Sequence, residues 1–117
     1  MQSTVHIGEQ VIDGTIVLTV AGELDVGAAP LLSEKLNELI RAGGGDVVVD
    51  LQRVSFVDST GLAVLLNALR RLTRARRRMG IVIGKSAVRR AFEVTRLHWT
   101  FDVFDDVESA LERSRGG

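Results

Sequence analysis

Ser59 is the residue in this chain best placed to do chemistry. It stands in Val57-Asp58-Ser59-Thr60-Gly61-Leu62, where an apolar segment of strand character hands over to a long stretch of helical periodicity. That puts Ser59 at or next to a helix N-cap, where a hydroxyl can serve the free backbone N–H groups of the first turn. A hydroxyl there is also a good carrier for a phosphate, because helix N-termini favour anions. A third chemistry is nucleophilic attack from a strand–turn–helix elbow. That motif needs Gly two residues before the Ser, and Val57 occupies the position. His98 with Asp102 or Asp105 would have to complete a triad, and so small a chain leaves little room for an oxyanion hole and a substrate pocket. The choice between cap and phosphate acceptor carries the functional reading.

The other candidate motifs weigh less. Gly84-Lys85-Ser86 resembles the end of a P-loop, but Gly80 and Gly84 enclose only Ile81-Val82-Ile83, a strand whose N–H groups are committed to a ladder. The expected reading is a strand end followed by a helix capped by Ser86. Arg70, Arg71, Arg74, Arg76, Arg77 and Arg78 form a basic cluster late in a helix. Without interleaved aromatics it reads as a solvated face with cations near the helix C-terminus, leaving an acidic protein partner as the functional option. His6 and His98 have no neighbour at metal-ligand spacing, so no metal site is expected. Trp99 and Phe101 are expected to close the core beneath the last helix. Glu23 and Asp25 read as loop and capping residues.

Composition bounds these options. The 117 residues predict one domain, 1–117, long enough for one core. Fifteen basic residues balance fifteen acidic ones, which argues against bulk attraction to nucleic acid or an anionic membrane. With no cysteine, disulfides, thiol catalysis and thiolate metal sites are excluded. Met1-Gln2-Ser3-Thr4 does not read as a signal peptide, and no apolar run approaches a membrane span. A cytoplasmic protein is expected.

Ser59 would be positioned by a simple run of elements. A first strand starts at Thr4-Val5-His6-Ile7, and Asp13-Gly14 turns the chain into an antiparallel second strand, Thr15 to Ala21. Gly22-Glu23-Leu24-Asp25 breaks that strand. A helix begins around Gly27 to Pro30, carries the stripe Leu32, Leu36, Leu39 and Ile40, and ends at Gly43-Gly44-Gly45. Asp46 to Leu51 is a buried strand, extended through Val54 and Phe56 to Asp58. The second helix shows Leu62, Leu65, Leu66, Leu69 and Leu72 on one face. Gly80 to Gly84 is a fourth strand, Ser86 opens a third helix, Phe101 to Phe104 is a short last strand, and a helix from about Asp106 to Glu112 precedes a frayed tail, 114–117. Strands alternating with helices predict an α/β layer fold: a small mixed sheet, with an N-terminal antiparallel hairpin and then parallel strands, packed with four helices.

Taken together, Gly22-Glu23-Leu24-Asp25 and Asp58-Ser59-Thr60-Gly61-Leu62, in this order on this element pattern, resemble a single STAS domain of the bacterial anti-sigma factor antagonist family. Val88 to Thr95 resembles that family's third helix and Val107-Glu108-Ser109-Ala110-Leu111 its last. The resemblance implies a non-enzymatic partner switch. The unphosphorylated antagonist binds an anti-sigma factor that is also a serine kinase, and so frees a sigma factor. The kinase uses its own ATP to phosphorylate the Ser after the Asp, here Ser59, with Thr60 the rival acceptor, and a serine phosphatase reverses this. Carried over residue by residue, the expected partner surface is Glu23, Asp25, Asp58, Ser59, Thr60, Gly61 and Leu62. Asp58 would position Ser59, Gly61 would allow close backbone approach, and Leu62 would be an apolar anchor unless buried. No cofactor, metal, nucleic acid or membrane is implied, and a monomer or weak dimer is expected. The alternative is a non-phosphorylated STAS accessory or scaffold subunit, for example of a transport ATPase. One position departs from the pattern. Arg96 stands where related sequences place Gly, so the third helix is expected to end differently or under strain of roughly 1 kcal/mol.

Overall fold

The computed structural model describes residues 5–116. Thr4, the expected start of the first strand, and Gly117, the end of the expected tail, lie outside them. Five strands form one sheet in the order β1-β2-β3-β4-β5. They are β1 Val5–Ile12, β2 Thr15–Leu24, β3 Val47–Val57, β4 Met79–Val82 and β5 Asp102–Phe104. β1 and β2 are antiparallel, joined at Asp13 and Gly14, both at positive φ as a tight hairpin requires. All later pairings are parallel. The helices are α1 Ala29–Ala42, α2 Ser59–Arg74, α3 Ala87–Val94 and α4 Val107–Arg115.

This order fixes the layers. From β2 onward each crossover returns to the adjacent strand, always stepping the same way across the sheet. Crossovers of one hand must then stack their helices on one face. Leu32, Leu36 and Leu39 of α1, Leu62, Leu65 and Leu72 of α2, and Val88 and Phe92 of α3 accordingly share one core with Leu18, Val20, Val49 and Ile81 of the strands. The chain then passes around the β5 edge. Ala110 and Leu111 of α4 cover Val17, Val48 and Val82 on the opposite face. The middle of the sheet is therefore buried on both sides, as the nearly continuous apolar runs of β2 and β3 predict.

β3 departs from simple alternation, and the departure re-aims its carboxyl end. Its register with β2 slips twice, between Thr19/Ala21 and between Gly22/Glu23, each time leaving an extra residue on β3. Buried positions therefore run Val47, Val49, Leu51 and then Val54, Val57, changing from a period of two to a period of three. Such bulges twist and bend a strand locally. They also correct one sequence expectation and set the exposure of Phe56. Gly22-Glu23-Leu24 does not break β2, which stays paired to Leu24 opposite Val57. Phe56 does not share a face with Val54 and is about half exposed at 49%.

Four further corrections have local causes. Ser114 and Arg115 are helical rather than frayed, since Arg115 pairs with Asp13 at the hairpin tip (2.8 Å) and with Glu108 (3.2 Å). Trp99 does not close the core: it sits in a 3₁₀ turn, Leu97–Trp99, and is 71% exposed. Phe101 is buried as expected but packs on Phe92 of α3, with ring centroids 5.6 Å apart, rather than beneath α4. The arginine cluster is not uniformly a solvated helix face. α2 ends at Arg74, and Arg77, in the following loop, is buried. Its guanidinium donates to the carbonyl of Gly45 at 2.8 Å and to those of Leu39 and Ile40 at 3.3 and 3.4 Å, filling the role of a C-terminal cap for α1.

Arg96 keeps the left-handed conformation, at φ 60° and ψ 19°, that a glycine would adopt freely. Its guanidinium lies 5.3 Å from the centroid of the Trp99 ring, a cation–π contact that partly offsets the strain. Arg96→Gly is expected to change stability by less than about 1 kcal/mol, relieved strain opposing the lost contact and a floppier unfolded chain. Arg77→Met keeps the aliphatic stem but strips three carbonyls of their donor, and is expected to cost about 2–4 kcal/mol. Urea denaturation of both variants checks this: the midpoint should fall for Arg77→Met and hardly move for Arg96→Gly, with the slope unchanged in each.

Candidate functional site

At the carboxyl ends of β2 and β3 the chain makes two loops, into α1 and into α2. One side chain joins them. Asp58 is the N-cap of α2, in extended conformation at φ −104° and ψ −178°. Its Oδ1 accepts the Gly61 N–H at 3.0 Å, and its Oδ2 accepts the Val26 N–H at 3.0 Å from the other loop. The Asp58 backbone N–H donates to the Leu24 carbonyl at 3.3 Å. Asp25 ties its own loop: Oδ1 accepts the N–H groups of Gly27 and Ala28, both at 3.0 Å, ahead of the Pro-started helix α1. Charged acceptors on backbone N–H groups are among the stronger hydrogen bonds available, and these bonds hold the two loops at a fixed offset.

The cap is therefore Asp58, and Ser59 is the first helical residue beside it. Ser59 and Thr60 are exposed, and their hydroxyls make no hydrogen bond among the described residues. The cap function that a sequence reading could give to Ser59 is already filled, which leaves its hydroxyl available to solvent. Glu23 is also exposed, paired in register with Phe56.

Gly61 and Leu62 face inward. A Cβ at Gly61 would lie 2.6 Å from the Leu24 carbonyl oxygen and 2.9 Å from the Leu24 side chain. The close approach that Gly61 permits is thus to the end of β2 within this chain. Leu62 is buried at 8% exposure in the main core, the fallback expected of it rather than a surface anchor. The structure so gathers Glu23, Asp25, Asp58, Ser59 and Thr60 at one end of the sheet and takes Gly61 and Leu62 beneath them. Sequence reasoning missed two neighbours. Val26, 68% exposed, follows Asp25, and Phe56 precedes the Asp58 cap by two residues. Both are large apolar groups left exposed at this end of the sheet. The signal for Val26 is a hydrophobic residue stranded in a polar loop; for Phe56 it is hidden by the bulges.

Remaining candidates resolve structurally. The Ser86 hydroxyl accepts the Arg89 N–H at 3.3 Å as the cap of α3, leaving no phosphate cradle. His98 lies 3.3 Å, through Nδ1, from the Phe92 carbonyl. It lines a cavity of about 390 Å³ with Arg89 and Asp105, whereas Ser59 does not line it. Among the described residues no group of three or more His, Asp or Glu side chains could hold a metal ion, and no helix is long and apolar enough to cross a membrane.

The STAS domain family model matches residues 7–110, which include both loops and both hydroxyls. The chain belongs to the STAS family. Among curated relatives it is 31% identical over 105 residues to the anti-sigma-F factor antagonist RsfB of Mycobacterium tuberculosis, covering 90% of this chain and 85% of that protein. It is 37% identical over 78 residues to the anti-sigma-B factor antagonist of Staphylococcus aureus, covering 67% and 72%. Among solved structures, an anti-sigma factor antagonist from Mycobacterium paratuberculosis superposes with a TM-score of 0.89 at 29% identity, over 95% of this chain and 94% of the other. The fold read from sequence is therefore the STAS fold, and the chain's relatives include named anti-sigma factor antagonists.

Two substitutions check the site's construction. Gly61→Ala in this STAS domain is expected to destabilise it by at least about 2 kcal/mol, because the new methyl meets a backbone carbonyl that cannot swing away. Asp58→Ala is expected to cost about 1–2 kcal/mol, with Asp58→Asn losing less because it still accepts one N–H. In amide hydrogen exchange, Asp58→Ala should release the Val26 and Gly61 N–H groups together; protection of Val26 surviving in the variant would show that the bridge does not hold that loop.

Proposed function

We propose that the chain is an anti-sigma factor antagonist whose Ser59 is the switch. In the unphosphorylated state the end of the sheet bearing Ser59, Thr60, Glu23, Val26 and Phe56 binds an anti-sigma factor, and the sigma factor that the anti-sigma factor held is freed. The anti-sigma factor acts as a serine kinase: the Ser59 Oγ attacks the γ-phosphorus of ATP, ADP leaves, and the hydroxyl proton passes to solvent or to a base on the kinase. A serine phosphatase returns the hydroxyl by hydrolysis to inorganic phosphate. The chain is substrate and ligand in this cycle, not an enzyme, and the cycle belongs in the cytoplasm.

One observation carries the reading. The Ser59 hydroxyl is exposed and unbonded at the start of α2 because Asp58 does the capping. A phosphoryl group can be added there without breaking any bond of the fold, and the helix N-terminus tolerates the added anion. The consequence falls on the partner. Roughly −1.5 to −2 charges arrive beside the Asp58 carboxylate, at the end of the sheet where Val26 and Phe56 are exposed. An interface that buried Val26 and Phe56 against a neutral hydroxyl would then have to desolvate a dianion next to a carboxylate. The relatives named as anti-sigma factor antagonists support the same reading.

The test is incubation of the folded chain with candidate anti-sigma kinases and ATP, followed by intact and peptide mass spectrometry. One phosphate on the peptide carrying Ser59, absent from Ser59→Ala, is expected. Titration calorimetry should show Ser59→Asp binding the same anti-sigma factor at least about tenfold more weakly than the wild type. Phosphate on Thr60 alone would move the switch by one residue. A chain that binds the anti-sigma factor equally well as Ser59→Asp would remove Ser59 from the mechanism.

A further inference from the structure

The arginines between residues 70 and 78 divide into those the fold uses and those it does not. Arg71 donates to the Asn37 side chain and ties α2 to α1, and Arg77 caps the end of α1. Arg70, Arg74 and Arg76 are exposed, and their guanidinium groups make no hydrogen bond or ion pair among the described residues. The helix dipole accounts for a cation in the last turn, such as Arg74, but Arg70 lies before that turn and Arg76 beyond the helix. Arg70 and Arg74 are moreover spaced i,i+4, where like charges oppose the helix.

These groups border two adjoining depressions between the second half of α2 and the segment leading into β5. One, of about 460 Å³, is lined by Leu66, Leu69, Arg70, Thr73, Arg74 and Thr100. The other, of about 390 Å³, shares Leu69, Thr73 and Thr100 and adds Arg76 and Arg78, with Asp102 its one carboxylate. Half-buried leucines form the floor and guanidiniums the rim. Trp99, next to Thr100 in sequence, is 71% exposed. The chain as a whole is neutral, so this positive rim is local and not the by-product of a basic protein.

We propose that this face is a second docking surface, for an acidic protein segment that sets carboxylates against Arg70, Arg74 and Arg76 and apolar side chains on Leu66 and Leu69. Its leucines start about 10 Å, and Arg70 and Arg74 lie roughly 16–22 Å, along α2 from Ser59 at 1.5 Å per residue, so it can be occupied whatever the state of that serine, and it does not rest on the switch reading. A protein fits better than nucleic acid: the floor is aliphatic, a single aromatic is at hand for base stacking, and the neutral chain lacks a long-range field. It fits better than free phosphate because the depressions are open and lined by leucines as well as guanidiniums.

Trp99 is the sole tryptophan and, one residue from Thr100 in the lining, supplies a fluorescence reporter for the face. The probe is a synthetic helical peptide with glutamates along one face and two leucines at i and i+3, titrated against the wild-type chain by Trp99 fluorescence and by amide NMR. Binding that shifts amides in 66–78 and 99–102, and that weakens at least about tenfold when the glutamates become glutamines or when salt is raised to 0.5 M, is expected. The same loss is expected for the double variant Arg70→Glu/Arg74→Glu, whose exposed positions should leave the thermal midpoint near that of the wild type. Arg70→Gln/Arg74→Gln gives the same reading if the reversed charges perturb folding. Ser59→Asp should bind the peptide as the wild type does. No binding, amide shifts centred on Ser59, loss of binding in Ser59→Asp, or tighter binding of a single-stranded oligonucleotide or of inorganic phosphate would each overturn the proposal.

Discussion

The carboxylate of Asp58 is the contact on which the candidate site of this domain depends. It accepts one N–H from its own helix and one from the loop after β2, thirty-two residues away in sequence. A neutral acceptor could cap α2, but two oxygens on a planar group are needed to cap and to bridge at once. Beneath it the absence of a side chain at Gly61 lets α2 start in contact with the Leu24 carbonyl. The bridge above and the close approach below fix the first turn of α2 against β2. Ser59 and Thr60 are then presented on a turn that is held from both sides yet has its hydroxyls outward. A rigid platform with a free hydroxyl suits the switch proposed above, since a charge added there would act on a partner rather than being absorbed by local unfolding.

Much of this is legible in the sequence because the relevant signals are local. The alternation of strands and helices, the Asp13-Gly14 turn, the Pro30 start and glycine end of α1, and the Ser86 cap are read from a few residues each, and the structure has them all. The final cap is of the same kind: Asp106 accepts from Ser109, and those bonds hold its carboxyl below the ordinary value. The cap at α2 is the near miss. Asp58 and Ser59 are both good N-cap residues, and only the extended backbone at Asp58 shows which of the two takes the role. That distinction has functional weight, because it sets the Ser59 hydroxyl free.

The features that stay hidden depend on pairings distant in sequence. The two bulges in β3 arise from its register with β2, and no window of β3 alone reveals that burial changes from every second to every third residue. Simple alternation from Val54 would put Phe56 on the buried face, and the bulges leave it exposed. Arg77 looks like one more cation in a run of six, because its partners are carbonyls at the end of α1 and at Gly45, which carry no side-chain signature. Hydrophobicity alone places Trp99 inside. Its neighbour Arg96, held left-handed, turns the chain so that Phe101 reaches the core against Phe92 and Trp99 is left outside.

The same topology separates the two ends of α2. Its N-terminus meets the carboxyl ends of β2 and β3, where acceptors, hydroxyls and exposed apolar groups collect. Its C-terminus meets the other end of the sheet, where the arginines collect. Between them Leu62, Leu65, Ala68 and Leu72 are buried against the sheet, so the helix is clamped along its length and transmits little bending from one end to the other. A charge placed on Ser59 is thus confined in its direct effect to the near end, since screening limits an exposed charge to about 8 Å at physiological salt. An architecture of this kind favours a switch that works by gating one surface while leaving the rest of the molecule unchanged. It also lets a neutral chain carry opposite local charge at the two ends of α2, with Glu23, Asp25 and Asp58 near its start and Arg70, Arg74 and Arg76 near its end, too far apart to neutralise each other.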